Sequence, residues 1–293
     1  MPFLDHLPLL IPVLGCAAVG ALLVLLRLPV DERTAAALAA WIALPALMLS
    51  AQARTPVGAG ALASGLLAGA AALALAALAG ALLLALLRQP VRALLPAVMH
   101  PAAALLGVPL VQFTHGGGAL VHAVAFAALV LASQASVGAW LAAGRIDGRA
   151  LLASPPLWAV ALVMALSWAG LGVPAWTTGV TDLLGAMAAP LLLVLLGASL
   201  ARAGVTGIGR ALLPGLLRPA LGAAAGFAAV MLLPVPGDAV PALVLGGAMP
   251  VAAALPVFAG PSKGPAGTGA AALVSTVLVL LALPWLLRLA AAA

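Results

Sequence analysis

The charged residues of this chain stand singly between long apolar stretches, and that spacing leaves very few folds open. No Asp, Glu, Lys or Arg occurs between Arg54 and Arg88, nor between Arg92 and Arg145. Of 293 residues, 66% are hydrophobic and 6% charged. Soluble domains carry roughly a quarter charged residues, so water could not solvate a chain of this kind as a compact fold. The pattern demands lipid as solvent and an all-α, polytopic membrane protein.

A spanning helix needs about 20 mostly apolar residues. Turn and charge signals divide the chain into ten such segments, at 8–26, 35–52, 60–87, 94–114, 119–143, 151–171, 180–200, 210–233, 239–259 and 268–289. Arg27, Arg33, Arg88, Arg92, Arg145, Arg149, Arg202, Arg210 and Lys263 fall in or beside alternate loops, with only Arg54 and Arg288 on the other side. Positive residues stay inside, so both termini are expected outside. The net charge of +6 is thus a topology signal, and its dispersal argues against nucleic acid as a partner. Arg outnumbers Lys eleven to one, and with the Ala, Gly and Leu excess this reads as a GC-rich bacterial coding bias, hence a cytoplasmic (inner) membrane. Cys16 is the only cysteine, which excludes an intrachain disulfide and a multi-cysteine metal site. Val13-Leu14-Gly15-Cys16 resembles a lipoprotein processing site, but the apolar run continues past it, and Cys16 reads as a helix residue.

Prolines suggest an internal duplication. Ala43-Leu44-Pro45 in the second segment compares with Ala188-Ala189-Pro190 in the seventh, and Met99-His100-Pro101 in the fourth with Ala248-Met249-Pro250 in the ninth. Pro45 to Pro101 is 56 residues and Pro190 to Pro250 is 60. Two five-helix repeats follow, 1–149 and 150–293, and an odd helix number per repeat inverts the second copy. Proline within a helix frees carbonyls that protein or water must satisfy, so such backbone lines a cavity or is buried. Interrupted helices at corresponding repeat positions point to a carrier's midplane site.

At these residues the chain resembles the auxin efflux carrier family, which includes plant auxin exporters and bacterial malonate-type permeases. Leu183-Leu184-Gly185-Ala186-Met187-Ala188-Ala189-Pro190, continuing to Ser199-Leu200, is similar to the family's seventh helix, and Ser154-Pro155-Pro156-Leu157 to the start of its sixth. Gly247-Ala248-Met249-Pro250-Val251-Ala252 and Val274-Ser275-Thr276 resemble the last two helices, and Ala102-Ala103-Ala104-Leu105-Leu106-Gly107-Val108-Pro109 occupies the place of the fourth-helix motif. The resemblance implies a bile acid symporter-like fold of ten helices in two inverted repeats, with helices 4 and 9 unwinding and crossing around His100, Pro101, Ala102, Ala103, Met249, Pro250 and Val251. It also implies a scaffold, a moving part, and half-helix ends that offer backbone N–H groups to an anionic substrate. The family's polar side chains after the crossover prolines are replaced by Ala102 and by Val251-Ala252-Ala253-Ala254, which leaves the substrate unnamed.

His100 is the sharpest ionisable candidate, for proton coupling or for meeting a carboxylate. The alternative is a neutral histidine bonded to a helix carbonyl. Ser50 and Gln134 are candidate pocket residues, with helix-to-helix hydrogen bonding as their other role. His115 and His122 read as solvated loop histidines rather than a metal pair, Arg218 as snorkelling about 12 Å into its helix, and Asp182 as interfacial. No cofactor or resident metal is expected, and the coupling ion is left between proton and sodium. The expected function is alternating-access transport of a small organic anion with no enzymatic step, since paired Asp and His-Glu-x-x-His motifs are missing. The alternatives are a passive gated channel or facilitator, or a carrier of a neutral or hydrophobic solute. The lipid bilayer and the solute are the expected partners, with room for a homodimer.

Overall fold

The computed structural model describes residues 7–29, 31–144, 154–203, 208–252 and 268–292. The described residues form eleven helices and one isolated antiparallel bridge. In chain order the helices are α1 (Leu7–Leu25), α2 (Glu32–Arg54), α3 (Ala59–Leu86), α4 (Val91–Met99), α5 (Ala103–Thr114), α6 (Gly117–Leu141), α7 (Pro155–Trp168), α8 (Ala175–Arg202), α9 (Ile208–Leu232), α10 (Ala239–Ala248) and α11 (Thr268–Ala292). Six of them, α2, α3, α6, α8, α9 and α11, are long and apolar enough to cross a membrane, while α1, α5, α7 and α10 are shorter apolar helices. The chain is a multi-pass, all-helical membrane protein.

Two segments are interrupted where their prolines led the sequence reading to expect it. The fourth, at 94–114, is divided into α4 and α5, and the ninth ends its helix at Ala248, before Pro250. Residues 253–267, which hold Lys263 and the rest of the ninth segment, lie outside the described residues, as do Arg145, Arg149 and the start of the sixth segment.

In three helices a widened or interrupted turn stands just before a proline. A wide π-type turn at Ala39–Ala43 precedes Pro45 in α2, and another at Ala103–Gly107 precedes Pro109 in α5. The added residue per turn gives the proline ring room where it would otherwise meet the carbonyl one turn back. In α8 a one-residue interruption at Met187 comes just before Pro190. Helices α1 and α3 stop alike, with Arg27 and Arg88 at positive φ, and the following amide closes back on the carbonyl five residues earlier. That bonding satisfies terminal carbonyls and sets a cation at each helix's negative end.

Helix α6 buries most of its side chains and α3 the fewest among the six long helices, so α6 runs through the centre and α3 along the rim. Leu67, Leu78, Leu82 and Leu86 of α3 are exposed, as are Trp168, Trp176 and Leu183. At about 25 cal/mol per Å², this surface would be costly in water and is matched to acyl chains. Between helices, where lipid provides no hydrophobic drive, close backbone approach holds the bundle. A Cβ added at Gly197 of α8 would strike the Ala17 carbonyl of α1, and one at Gly20 of α1 would strike the Val194 carbonyl. Gly222 and Gly226 of α9 lie equally close to the α10 backbone at Gly247 and Leu243.

Candidate functional site

The interrupted segments meet. Pro101 and Val251 pair as an antiparallel bridge, and the Ala102 amide donates to the Pro250 carbonyl at 2.8 Å. Proline explains why a bridge forms here rather than a helix: Pro101 and Pro250 have no N–H to continue one, and each biases its predecessor toward extended backbone. His100 accordingly has φ −98 and ψ 112, and Met249 φ −59 and ψ 152. His100, Pro101, Ala102, Ala103, Met249, Pro250 and Val251 are all buried. The structure thus brings together all seven residues named for this place.

Breaking a helix in the interior leaves its last carbonyls without partners. Here Arg218 of α9 takes them. Its Nη1 donates to the Val98 and Met99 carbonyls at 2.9 and 3.3 Å, and its Nη2 to the Gly247 carbonyl. One guanidinium therefore holds the C-terminal ends of both α4 and α10. The expected snorkelling of Arg218 is corrected, because the side chain is 1% exposed and reaches inward. Its length is fully used by three carbonyls, and an interfacial position would have left those groups orphaned. A Cβ at Gly222, one turn along α9, would lie 2.7 Å from the Arg218 Cζ, so glycine there makes space for the guanidinium. The Nε of Arg218 has no hydrogen-bond partner.

Charge compensation for Arg218 comes from the backbone. The described acidic residues are engaged elsewhere: Asp31 caps α2, Glu32 pairs with Arg202, Asp182 pairs with Arg54, and Asp238 lies against Gly118. Each helix C-terminus carries roughly half a negative elementary charge, so two of them together approximately balance one guanidinium.

His100 bonds the same end of α4. Its Nδ1 is 3.0 Å from the Pro96 carbonyl and its Nε2 3.0 Å from Ser133 Oγ of α6. A carbonyl only accepts, so Nδ1 carries a proton and donates. In the neutral ring, Nε2 then accepts from the serine hydroxyl, which can rotate to accept instead if Nε2 gains a proton. Gly138 makes room for the ring, since its Cβ would lie 3.2 Å from His100 Cε1. The Val251 amide donates to Ser275 Oγ of α11 at 3.0 Å, and Ser275 donates to the Ala271 carbonyl at 2.7 Å. The positive end of α5 receives no such service. No side chain caps it, and its first residues Ala103, Ala104 and Leu105 are buried.

Ser50 lies apart from this junction, whereas Gln134 lies beside it without bonding the broken segments. Gln134 is buried in the wide turn Gln134–Gly138 that leans on His100 through Gly138. Ser50 lines a cavity of about 280 Å³ that also touches Arg54, Gln112 and Asp182. Gln112 is nine residues beyond Ala103, about 14 Å along α5 at helical rise. Ser50 donates to Asp182 Oδ1 at 2.5 Å, and Arg54 Nη2 is 2.9 Å from Asp182 Oδ2. Asp182 is partly exposed, in keeping with the interfacial reading, and its bonds also tie α8 to α2. The Gln112 Oε1 is buried without a partner. His122 is likewise not a solvated loop residue: it is 3% exposed, packed against Gly65 of α3, with Nε2 unpartnered.

The sequence reading left Arg218, Ser133 and Ser275 out of the site, Arg218 because its depth reads as snorkelling. Their signal was present but weak. Arg218 is a lone charge inside an apolar run, which is a functional flag by default. A scan of protein-family models finds no match to the chain, and a search of curated proteins finds none either.

Proposed function

We propose that this protein is a secondary carrier that moves a small organic anion, a carboxylate by preference, across the membrane by alternating access. One observation carries the reading: at a buried meeting of two broken helices, both negative ends are occupied by Arg218, while the positive end of α5 is left uncapped. The uncompensated field at the junction is positive, and helix N-termini bind anions through their free amides. Discontinuous helices with such ends are the recurring substrate sites of carriers.

The finer reading follows from the same premise. The chain would cross ten times, with α4 and α5 as one interrupted crossing and α10 as the first half of another. Two inverted repeats, 1–149 and 150–293, would place both termini outside an inner membrane of a bacterium, and the auxin efflux carrier resemblance supplies the bile acid symporter-like arrangement. The side chains that bond the junction come from α6, α9 and α11, so these helices would move with it, against a scaffold that includes α1, α2 and α8. His100 and Ser133 offer a proton site next to the junction.

Substrate-saturable counterflow in proteoliposomes, with organic acids accelerating exchange, is the expected result. Conductance above carrier turnover would make the protein a channel. Stabilisation of the purified protein by neutral solutes and by no organic acid would remove the anion.

A further inference from the structure

The Arg218 arrangement bears on coupling as well as on structure. In carriers with unwound helices, the carbonyls and C-terminal ends at the break are the groups that hold a coupling cation. Here the corresponding carbonyls, those of Val98, Met99 and Gly247, already surround a cation. We infer that the Arg218 guanidinium is a tethered, non-dissociating substitute for a coupling cation, and that removing it leaves a carbonyl-lined site able to take a free monovalent cation.

Three features support this over a merely structural role. The guanidinium spans two separate helix ends rather than one, which is the task of a cation at a junction. It makes these bonds without an acidic partner among the described residues, so the backbone dipoles provide the compensating charge. Gly222 keeps the volume beside it clear, and a side chain there would compete with the guanidinium for the same place. A bonded arginine cannot leave, so this position contributes no ion to a transport cycle. The claim about the cation site rests on the junction geometry. The claim about coupling rests, in addition, on the carrier reading above.

The test is chemical rescue in purified, detergent-solubilised full-length protein. Arg218→Ala is melted in millimolar guanidinium, methylguanidinium, sodium and lithium, with choline at equal ionic strength as control. Guanidinium is expected to raise the variant's melting temperature saturably by about 2–4 °C at roughly ten times its dissociation constant, and to leave the wild type unmoved. Equal response of variant and wild type, or no saturable response to any of the small cations, overturns the inference. A second comparison stands if Arg218→Ala does not fold. Arg218→Lys, which keeps a cation, is expected to be more stable than the apolar Arg218→Met, and equal or greater stability of the methionine variant refutes a charge role. In proteoliposomes, wild-type counterflow is expected to be the same in sodium and choline. Sodium-dependent counterflow in the wild type refutes the coupling claim while leaving the carrier reading intact, and failure of counterflow altogether removes the carrier reading while the rescue result stands.

Discussion

Replacing Ser275 with alanine is the most direct probe of how the junction is held. Among the described residues, the ladder bond between the broken segments uses the Ala102 amide and the Pro250 carbonyl, so the Val251 amide finds its partner elsewhere, in Ser275 Oγ at 3.0 Å. Val251 is 1% exposed and Ser275 is 0% exposed, so water cannot replace the hydroxyl. An orphaned buried donor costs about 1–3 kcal/mol, whereas polar contacts between membrane helices average about 0.6 and reach about 1.7 kcal/mol. The expected loss for Ser275→Ala is therefore about 1–2 kcal/mol. The neighbour Thr276 provides the control, because its Oγ1 donates at 2.7 Å to Ala272, a carbonyl of its own helix one turn back. Thr276→Val removes a donor and orphans nothing, so it should cost under about 0.5 kcal/mol. Equilibrium unfolding in mixed micelles measures both, and amide exchange at Val251 reports the bond itself. Equal losses for the two variants, or unchanged protection of the Val251 amide in Ser275→Ala, would refute the assignment.

Other expectations concern the rest of the bundle. Gly197→Leu should separate α1 from α8 and cost about 3 kcal/mol or more, since the new side chain meets the Ala17 backbone rather than a movable side chain, and a near-native melting curve would contradict that contact. Arg54 is 68% and Asp182 35% exposed at the side chain, so their pair should contribute at most about 1 kcal/mol, and a double-mutant cycle of Arg54→Gln with Asp182→Asn giving a larger coupling would show the pair to be sealed from solvent. The hydroxyl of Thr34, its amide and that of Arg33 hold the Asp31 carboxyl below the usual carboxylate range. A lowered folded-state pKa gives stability that is present above the unfolded value and lost as pH falls through the folded one, so Asp31→Asn should lose that contribution at neutral pH, converge on the wild type in acid and flatten the acid limb of the stability profile.

Much of the architecture was legible because lipid permits so few solutions. Apolar length located the helices, and Pro101 and Pro250 located the break, since a residue without an amide proton must interrupt the ladder wherever it sits in mid-helix. The cavity residues were legible only in part. Ser50 could be named from its place on the second segment, but its bond to Asp182 joins residues 132 apart, and no local pattern encodes that distance. Arg218 was misread for a related reason. Its depth along α9 was reasonable for snorkelling, and what overrides that tendency is a set of free carbonyls on two other helices, a demand that exists only once α4 and α10 have been broken and brought together.

The same observation resolves the absence of polar side chains just after the junction prolines. Ala102, Ala103, Met249 and Val251 contribute no polar side chain, yet the junction is bonded from outside: α6 sends Ser133 to the His100 ring, α9 sends Arg218 to the Val98, Met99 and Gly247 carbonyls, and α11 sends Ser275 to the Val251 amide. Polarity has been moved from the broken segments to the helices around them. This has a consequence for recognition. In the carrier proposed above, a solute at the uncapped end of α5 would meet backbone amides for its charge and the small, apolar side chains of Ala103 and Ala104 for its body. Selectivity in such a site comes from shape and from the fixed positive end of a helix, rather than from a complementary charged side chain. Polarity at Ala102 is then not what the site lacks, and introducing it should alter which solute fits rather than restore binding.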